Sequence, residues 1–325
     1  MSNLPIPLAI PTPFIVGPVN VFLLPDEPVT LVDTGTRTPE SLAALEQGLR
    51  EHGLAVSDIE RIFITHHHSD HVGLLSQLME GSGAEAYGHP GAVRHAQLGQ
   101  SHDAAHLQFY LDIMTEFGVP EEKRVASMRL WERFKDFTAP FTLTHTFTDG
   151  AMAGPFRTHF VPGHSATDTL LVNETAGYTI VGDHILRAFN PNPLLRRPGP
   201  GQLRAKSLVE FQDSLRHSRA LPLGRCYPGH GTPFEDHRAV IDALLAQHER
   251  KNRRVLKLVG EAGVTPFAVA EALYPDIEMQ HFYLALSVAV GHLELLETRG
   301  VLRSRVEDGV ARYYPATSCE LRVSS

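Results

Sequence analysis

Residues 63–73 read FITHHHSDHVG, which places four histidines and one aspartate in the six positions from His66 to His71. A run of this kind is either a solvated loop or a metal site, and the residues around it decide which. Ile59–Thr65 is a short apolar segment of strand character, and VGLLSQLME after the run reads as the start of a helix. Strand, ligand-rich loop and helix in succession is an active-site arrangement of layered α/β proteins, because functional side chains gather on loops at strand ends.

The flanking chain has the same grammar. Two β-rich runs between Val16 and Thr34 are separated by Pro25-Asp26-Glu27-Pro28 and form a hairpin ending at Asp33. Thr38 before Pro39 is an N-cap followed by proline at the first helical position; Leu42, Leu45 and Leu49 keep helical spacing, and Gly53 ends the run. After the strand-like AEAYGHP comes a mostly helical stretch, about residues 92–140, with Phe109, Tyr110, Met114, Phe117, Met128, Trp131, Phe134 and Phe137. It reads as an insertion between strands, whose aromatic residues either pack onto the host domain or line a substrate pocket. Strand signals return in FTLTHTF, FRTHFVPGH, DTLLVNET and YTIVGDHIL. Ser207-Leu208-Val209-Glu210 fits a capping box opening a helix to about Ala220, and GRCYPGHG is a last short strand. From about Asp236 the pattern becomes helix, helix, helix and a two-stranded hairpin turning at Asp308-Gly309, the order of a winged-helix module. The expected domains are therefore 1–237, catalytic, and 238–325, winged-helix-like.

The ligand chemistry converges on the strand ends. In extended backbone, residues i and i+2 project to one side, so His66 and His68 can share a metal while His67 points away. Asp70 and His71, at the turn into the helix, can reach a second metal. His164 in VPGHSATD, Asp183 in VGDHIL and His230 in YPGHG each follow a strand-like run, with glycines beside them that let backbone approach closely. Imidazole and carboxylate ligands suit a catalytic site for zinc foremost, with manganese or iron chemically admissible. His184 is expected to point away from the metals, and His89, His95, His102 and His106 are expected to be solvated.

These segments together resemble the metallo-β-lactamase superfamily. THHHSDHVG is similar to its THxHxDHxGG signature, with Leu74 in place of the last glycine, and PGHS, GDHIL and PGHG match its later motifs in order over about Val16–His237. The resemblance implies a four-layered αββα sandwich with two metals at one edge. It implies that His66, His68 and His164 bind one metal, that Asp70, His71 and His230 bind the other, and that Asp183 bridges them. Asp33 in LVDTG would support the site from behind, and Asp70 would orient a nucleophilic water and carry its proton. The β-lactamases proper have cysteine at the place of Asp183, whereas glyoxalase II and the lactonases have aspartate, so the resemblance favours the hydrolase branch over antibiotic hydrolysis. The tail after PGHGTPFEDH resembles the lactamase-β-like protein 2 group, an RNA-cleaving branch.

Charge separates the resulting function classes. Lys plus Arg number 29 against 37 Asp plus Glu, a net −8, which argues against a broad nucleic-acid or anionic-membrane surface. From Ile241 onward the numbers are 10 and 11, and the expected recognition helix carries Glu294 and Glu297 with Arg299 at its end, not a phosphate-binding face. The expectation is a hydrolase of a small or acyl substrate (thioester, lactone or ester), with an endoribonuclease or phosphodiesterase as the alternative and the wing as a packing or homodimerisation element. No leader or membrane-spanning run is apparent, so a cytoplasmic location is expected. Cys226 and Cys319 form no CxxC pair and read as buried thiols.

Overall fold

The computed structural model describes residues 4–100, 104–131, 135–199 and 201–316. Among these, the first sheet has six strands in sequential order: β1 (Ile6–Ile10), β2 (Val19–Leu24), β3 (Thr30–Val32), β4 (Arg61–Phe63), β5 (Glu85–Gly88) and β6 (His145–Thr146). The first three form an antiparallel meander and the rest run parallel. Parallel neighbours need crossovers. They are supplied by α1 (Pro39–Glu51), by α2 (Ser69–Val72) with α3 (Leu75–Ser82), and by the inserted helices α4 (Ala92–Gln100), α5 (Ala104–Glu116) and α6 (Glu121–Trp131).

Local chemistry sets these boundaries. The Thr38 hydroxyl accepts the Ser41 N–H at the start of α1, Pro39 occupies the first turn, and Gly53 takes a φ of +75° just after the helix. Side chains alternate across the sheet with a period of two. Val21, Leu23, Leu31, Ile62 and Ala86 face the core under the helices, where Leu45, Leu49, Leu75 and Leu78 are also buried. Phe22, Val32 and Phe63 face the other way, into an apolar layer shared with the second sheet.

That second sheet comprises β7 (Met152–Ala153), β8 (Phe156–Phe160), β9 (Thr169–Asn173), β10 (Tyr178–Gly182) and β11 (Arg225–Pro228), in the order β11-β10-β9-β8-β7. Its inner face contributes Phe156, Leu171, Tyr178, Ile180 and Tyr227 to the shared layer. Only the β10–β11 pair is parallel, and α7 (Ser207–Ala220) lies in that crossover. Two sheets packed face to face with helices outside form the mixed α/β sandwich the motifs imply. The FTLTHTF segment is strand only at His145–Thr146, although Phe141 and Phe147 on either side are buried.

The compact units are not continuous in sequence. The chain forms two discontinuous compact units, one of 1–100, 135–191 and 214–241, the other of the described parts of 101–134, 192–213 and 242–325. The second unit contains α5, α6, most of α8 (His237–Leu256), α9 (Pro266–Leu273), α10 (Phe282–Thr298) and the hairpin β12 (Leu302–Glu307)–β13 (Val310–Pro315). Apolar burial is the reason: Tyr110, Met114 and Phe117 of the insertion share one core with Leu195, Val269, Phe282, Val290 and Tyr313. The insertion thus packs with the C-terminal helices, a pairing that linear order does not reveal. Asp308 and Gly309 turn the hairpin with φ of +50° and +79°, as a two-residue primed turn requires.

The capping box expected at Ser207 does not form. The Glu210 N–H bonds the Lys206 carbonyl at 3.1 Å, the Ser207 hydroxyl donates to the Leu194 carbonyl at 2.8 Å, and Glu210 pairs with Arg196. The side chains of Trp131 and His106, and residues His102, Phe134 and Cys319, lie outside the described residues. Cys226 is buried and free.

Candidate metal centre

The seven expected ligands come together at the C-terminal ends of strands in the first unit. His66 and His68 sit on the loop after β4, with Asp70 and His71 in the first turn of α2; His164 lies between β8 and β9, Asp183 just after β10 and His230 just after β11. Three overlapping sets result: His66, His68 and His164; His66, His71 and Asp183; Asp70, His71 and His230, with ligand atoms in each set within 4.8 Å of one another.

In the first set His68 Nδ1 stands 3.1 Å from His66 Nε2 and 3.0 Å from His164 Nε2. Nitrogens bound tetrahedrally to zinc at 2.0–2.1 Å would stand about 3.3 Å apart, so the three rings already converge on a point of ionic size. In the other sets His230 Nε2 is 3.4 Å from Asp70 Oδ2 and 3.5 Å from Asp183 Oδ2, while His71 Nε2 is 3.6 Å from Asp183 Oδ1 and 3.9 Å from Asp70 Oδ1. Asp183 Oδ2 also lies 3.6 Å from His164 Nε2, so this one carboxylate reaches both ends of the cluster.

Hydrogen bonds behind the rings fix their tautomers. Asp33 accepts at 2.8 Å from the Thr65 N–H, the Thr65 hydroxyl and His71 Nδ1. In its neutral form His71 then carries its proton on Nδ1 and directs a lone pair from Nε2 into the cluster. Because the Thr65 hydroxyl proton goes to Asp33, its oxygen accepts from His66 Nδ1 at 3.1 Å, which leaves His66 Nε2 as a lone pair too. His230 Nδ1 donates to the Pro18 carbonyl at 2.8 Å with the same effect. Asp33 holds a φ of +63°, a left-handed conformation that aspartate tolerates better than most residues and that marks a position constrained by its contacts.

The electrostatics are those of a cation site. His71 Nε2, His230 Nε2 and Asp183 Oδ1 are buried with no hydrogen-bond partner in this structure, an expensive state for polar atoms unless a cation takes the lone pairs. Burial lowers the affinity of His230 for a proton, yet Asp183 and Asp70 outweigh it and push the pKa up to about 10. His71 is likewise raised, with burial opposed by Asp33, Asp70 and Asp183. Burial would raise both cluster carboxylates, but the facing imidazoles hold them low, His230 and His71 for Asp183, His71 and His230 for Asp70. His66 and His68 are lowered, by burial first and then by His71 and His164 respectively, His68 to about 3. Positive charge is therefore attracted to the point between the carboxylates, and the chemistry of the donor set fits divalent metal.

The structure brings the seven positions together, and it adds residues that brace them, which sequence reasoning missed. Asn20 donates from Nδ2 to the carbonyls of Pro228 at 2.9 Å and Gly231 at 2.8 Å, and its N–H bonds Gly229 O at 2.7 Å, pinning the loop that carries His230. The available signal was a lone amide inside the apolar strand VNVFLL. A Cβ on Gly229 would collide with the Asp183 carboxylate and approach His71 Cε1 to 2.9 Å, so only glycine leaves room for both side chains. His67 bonds Thr167, and His95, expected to be solvated, instead lies with its ring 5.2 Å from that of His67. His89 accepts the Gly91 N–H and packs on Phe160, and His184 bonds Ser218 at 2.8 Å beneath the sheet.

The sequence profile described as the metallo-beta-lactamase superfamily matches residues 15–230. The chain is 30% identical over 302 residues to the probable metallo-hydrolase YqjP of Bacillus subtilis (strain 168), covering 92% of this chain and 94% of that one. Among solved structures, a metallo-beta-lactamase family protein from Thermus thermophilus superposes with a TM-score of 0.82 at 26% identity, covering 96% and 98% of the two chains. A beta-lactamase domain protein from Burkholderia ambifaria gives 0.81 at 25% identity, covering 95% and 92%.

Proposed function

Since the chain belongs to the metallo-β-lactamase superfamily, we propose that it is a dinuclear metal-dependent hydrolase acting on a small or acyl substrate such as a thioester, lactone or ester. The observation that carries this reading is the single Asp183 carboxylate within 3.6 Å of ring nitrogens from both triads. His66, His68 and His164 would hold one ion, Asp70, His71 and His230 the other, and Asp183 both. Zinc fits the histidine-rich set, and manganese or iron is compatible with it. Bound divalent ions lower the pKa of water from about 15.7 towards 7 and polarise a carbonyl, which supplies the nucleophile and the electrophilic assistance of a hydrolysis.

The chain's own residues do the rest. Asp70 offers Oδ2 to the His230 side of the cluster and Oδ1 to the His71 side, a position from which a carboxylate orients an attacking water and accepts its proton. Asp33, Thr65 and the Pro18 carbonyl keep the ring lone pairs aimed inwards through every turnover.

Charge favours the small-substrate reading over an RNA-cleaving one. Along α10, Glu294 pairs with Arg204, and Glu297 accepts from Lys206 at 3.0 Å and from Ser304. A helix whose basic neighbours are already neutralised offers little to phosphates. We read α8, α9, α10 and the β12–β13 hairpin as a winged-helix-like packing or dimerisation element. A hydrolysis panel of thioesters, lactones, phosphodiesters and structured RNA on metal-analysed protein tests the assignment: turnover of an acyl substrate abolished by chelation is expected, and cleavage of RNA alone would transfer the assignment to the nuclease class. Among the described residues no helix is long and apolar enough to cross a membrane.

A further inference from the structure

The first triad is assembled from two separate loops, and the Thr167 side chain bridges them. His66 and His68 come from the loop after β4, His164 from the loop between β8 and β9. The second loop is rigid in itself. Asp168 accepts the Ser165 N–H at 2.8 Å and the Ser165 hydroxyl at 2.6 Å, the Ser165 hydroxyl oxygen accepts the Thr167 N–H at 3.0 Å, and Gly163 N–H bonds the Ser165 carbonyl at 2.8 Å. From this frame the Thr167 hydroxyl reaches across to His67, the residue between the two ligands of the other loop. It accepts the His67 backbone N–H at 3.2 Å and stands 2.8 Å from His67 Nδ1. A hydroxyl can accept from the backbone N–H and still share a hydrogen bond with Nδ1, so Thr167 grips His67 at two points.

The clamp lies where small displacements matter. Thr167 is fully buried, and the only other direct backbone tie between the loops among the described residues is Thr169 N–H to the Thr65 carbonyl at 3.0 Å. His66 is additionally braced through Thr65 and Asp33, but neither His68 nor His164 has such a brace on its outer nitrogen among the hydrogen bonds described. The separation of His68 and His164, whose facing nitrogens are 3.0 Å apart, thus depends on how the loops are held. The second triad does not share this dependence, because His71 rests on Asp33 and His230 on Pro18 and Asn20.

We propose that Thr167 is a positioning residue for the first metal: its clamp on His67 sets the distance between the loop bearing His66 and His68 and the loop bearing His164, and so sets the affinity of that triad independently of the other. The proposal rests on the dinuclear reading above and extends it to a residue outside the coordination shell. Thr167→Val keeps the shape and removes both hydrogen bonds, whereas Thr167→Ser keeps them.

The test is a metal titration of full-length protein with zinc against a chromophoric chelator, with cobalt substitution to follow the ligand-field spectrum of each site. The parent is expected to bind two equivalents. Thr167→Val is expected to keep one near the parental affinity and to bind the other about 10-fold more weakly, the lower end of the loss seen when a ligand's own partner is removed, since Thr167 acts one residue away from the ligands. Thr167→Ser should restore both. Two parental affinities in Thr167→Val, or equal loss at both sites in a folded variant, would overturn the proposal. His67→Ala removes the ring contact of a half-buried side chain and keeps the backbone one, and is expected to weaken the same site by a smaller factor; an unchanged affinity there counts against the clamp even if the valine variant does not fold. A parent that binds one equivalent at most would refute the dinuclear reading itself, which separates the two failures.

Discussion

Asp33→Asn should disarm the centre without touching a metal ligand. In the parent, Asp33 Oδ2 accepts from both the Thr65 hydroxyl and His71 Nδ1, and Oδ1 accepts from the Thr65 N–H, all at 2.8 Å and with the carboxylate wholly buried. An asparagine can keep the carbonyl oxygen on the Thr65 N–H only by placing its NH2 where Oδ2 was. That group donates, so His71 Nδ1 must become an acceptor and its proton must move to Nε2, the nitrogen aimed at the cluster. The Thr65 hydroxyl must accept as well, and its freed proton turns to His66 Nδ1, which pushes the His66 proton onto Nε2. Two ligands acquire the wrong tautomer through one isosteric change. One lost partner behind a ligand costs 10- to 100-fold in metal affinity, so at least the upper end is expected here, about 2.7 kcal/mol at roughly 1.4 kcal/mol per tenfold. Competition for zinc against a chromophoric chelator, with circular dichroism to verify folding, measures it. Thr65→Val is the control: it leaves Asp33 on His71 and should spare the Asp70, His71 and His230 site. A folded Asp33→Asn protein that holds both metals within threefold of the parent would refute the tautomer argument.

Three further outcomes follow from the same geometry. Asp183→Asn should lose metal and activity together, because the carboxylate facing both triads loses its charge; normal metal content and turnover would remove Asp183 from the site. Gly229→Ala should displace Asp183 or His71 and reduce metal content with little change in the thermal stability of the chelated protein, since the new methyl meets ligands rather than core; unchanged metal binding would show that the cradle has slack. His89, whose pKa burial and the charge of His95 push down to about 4, stays neutral in the folded protein while an unfolded histidine protonates near 6.5. As pH falls from about 6.5 to 4 the unfolded chain therefore binds a proton that the folded one does not, and stability declines across that window. His89→Asn keeps an acceptor for the Gly91 N–H and removes the titration, so the stability gap between parent and variant in urea unfolding should be flat above 6.5 and shift towards the variant between 6.5 and 4. A gap constant with pH contradicts this.

Much of the sandwich was legible because its signals are local. Alternation at Val21, Phe22 and Leu23, the Thr38-Pro39 cap and the Asp308-Gly309 turn each act within a few residues, and the ligands announce themselves by sitting where strand-like runs end. What escaped was non-local. The aromatic residues of the insertion looked able to serve the host domain, yet Tyr110 and Phe117 are buried with Phe282 and Tyr313, more than 160 positions along the chain. Ser207 and Glu210 satisfied a capping pattern, but the Glu210 N–H bonds Lys206 and the two side chains turn to Leu194 and Arg196. Asn20 and Thr167 brace the centre through contacts 211 and 100 residues apart, which no spacing rule detects.

The central claim is that two divalent ions bound by seven side chains make this chain a hydrolase. Metal content per chain, measured by elemental analysis while hydrolysis of the best substrate is followed during stepwise reconstitution of chelated protein, tests it most directly. The expected result is a final ratio of two and activity that is complete only once both triads are filled. Full activity in protein that holds no more than one ion per chain would contradict it.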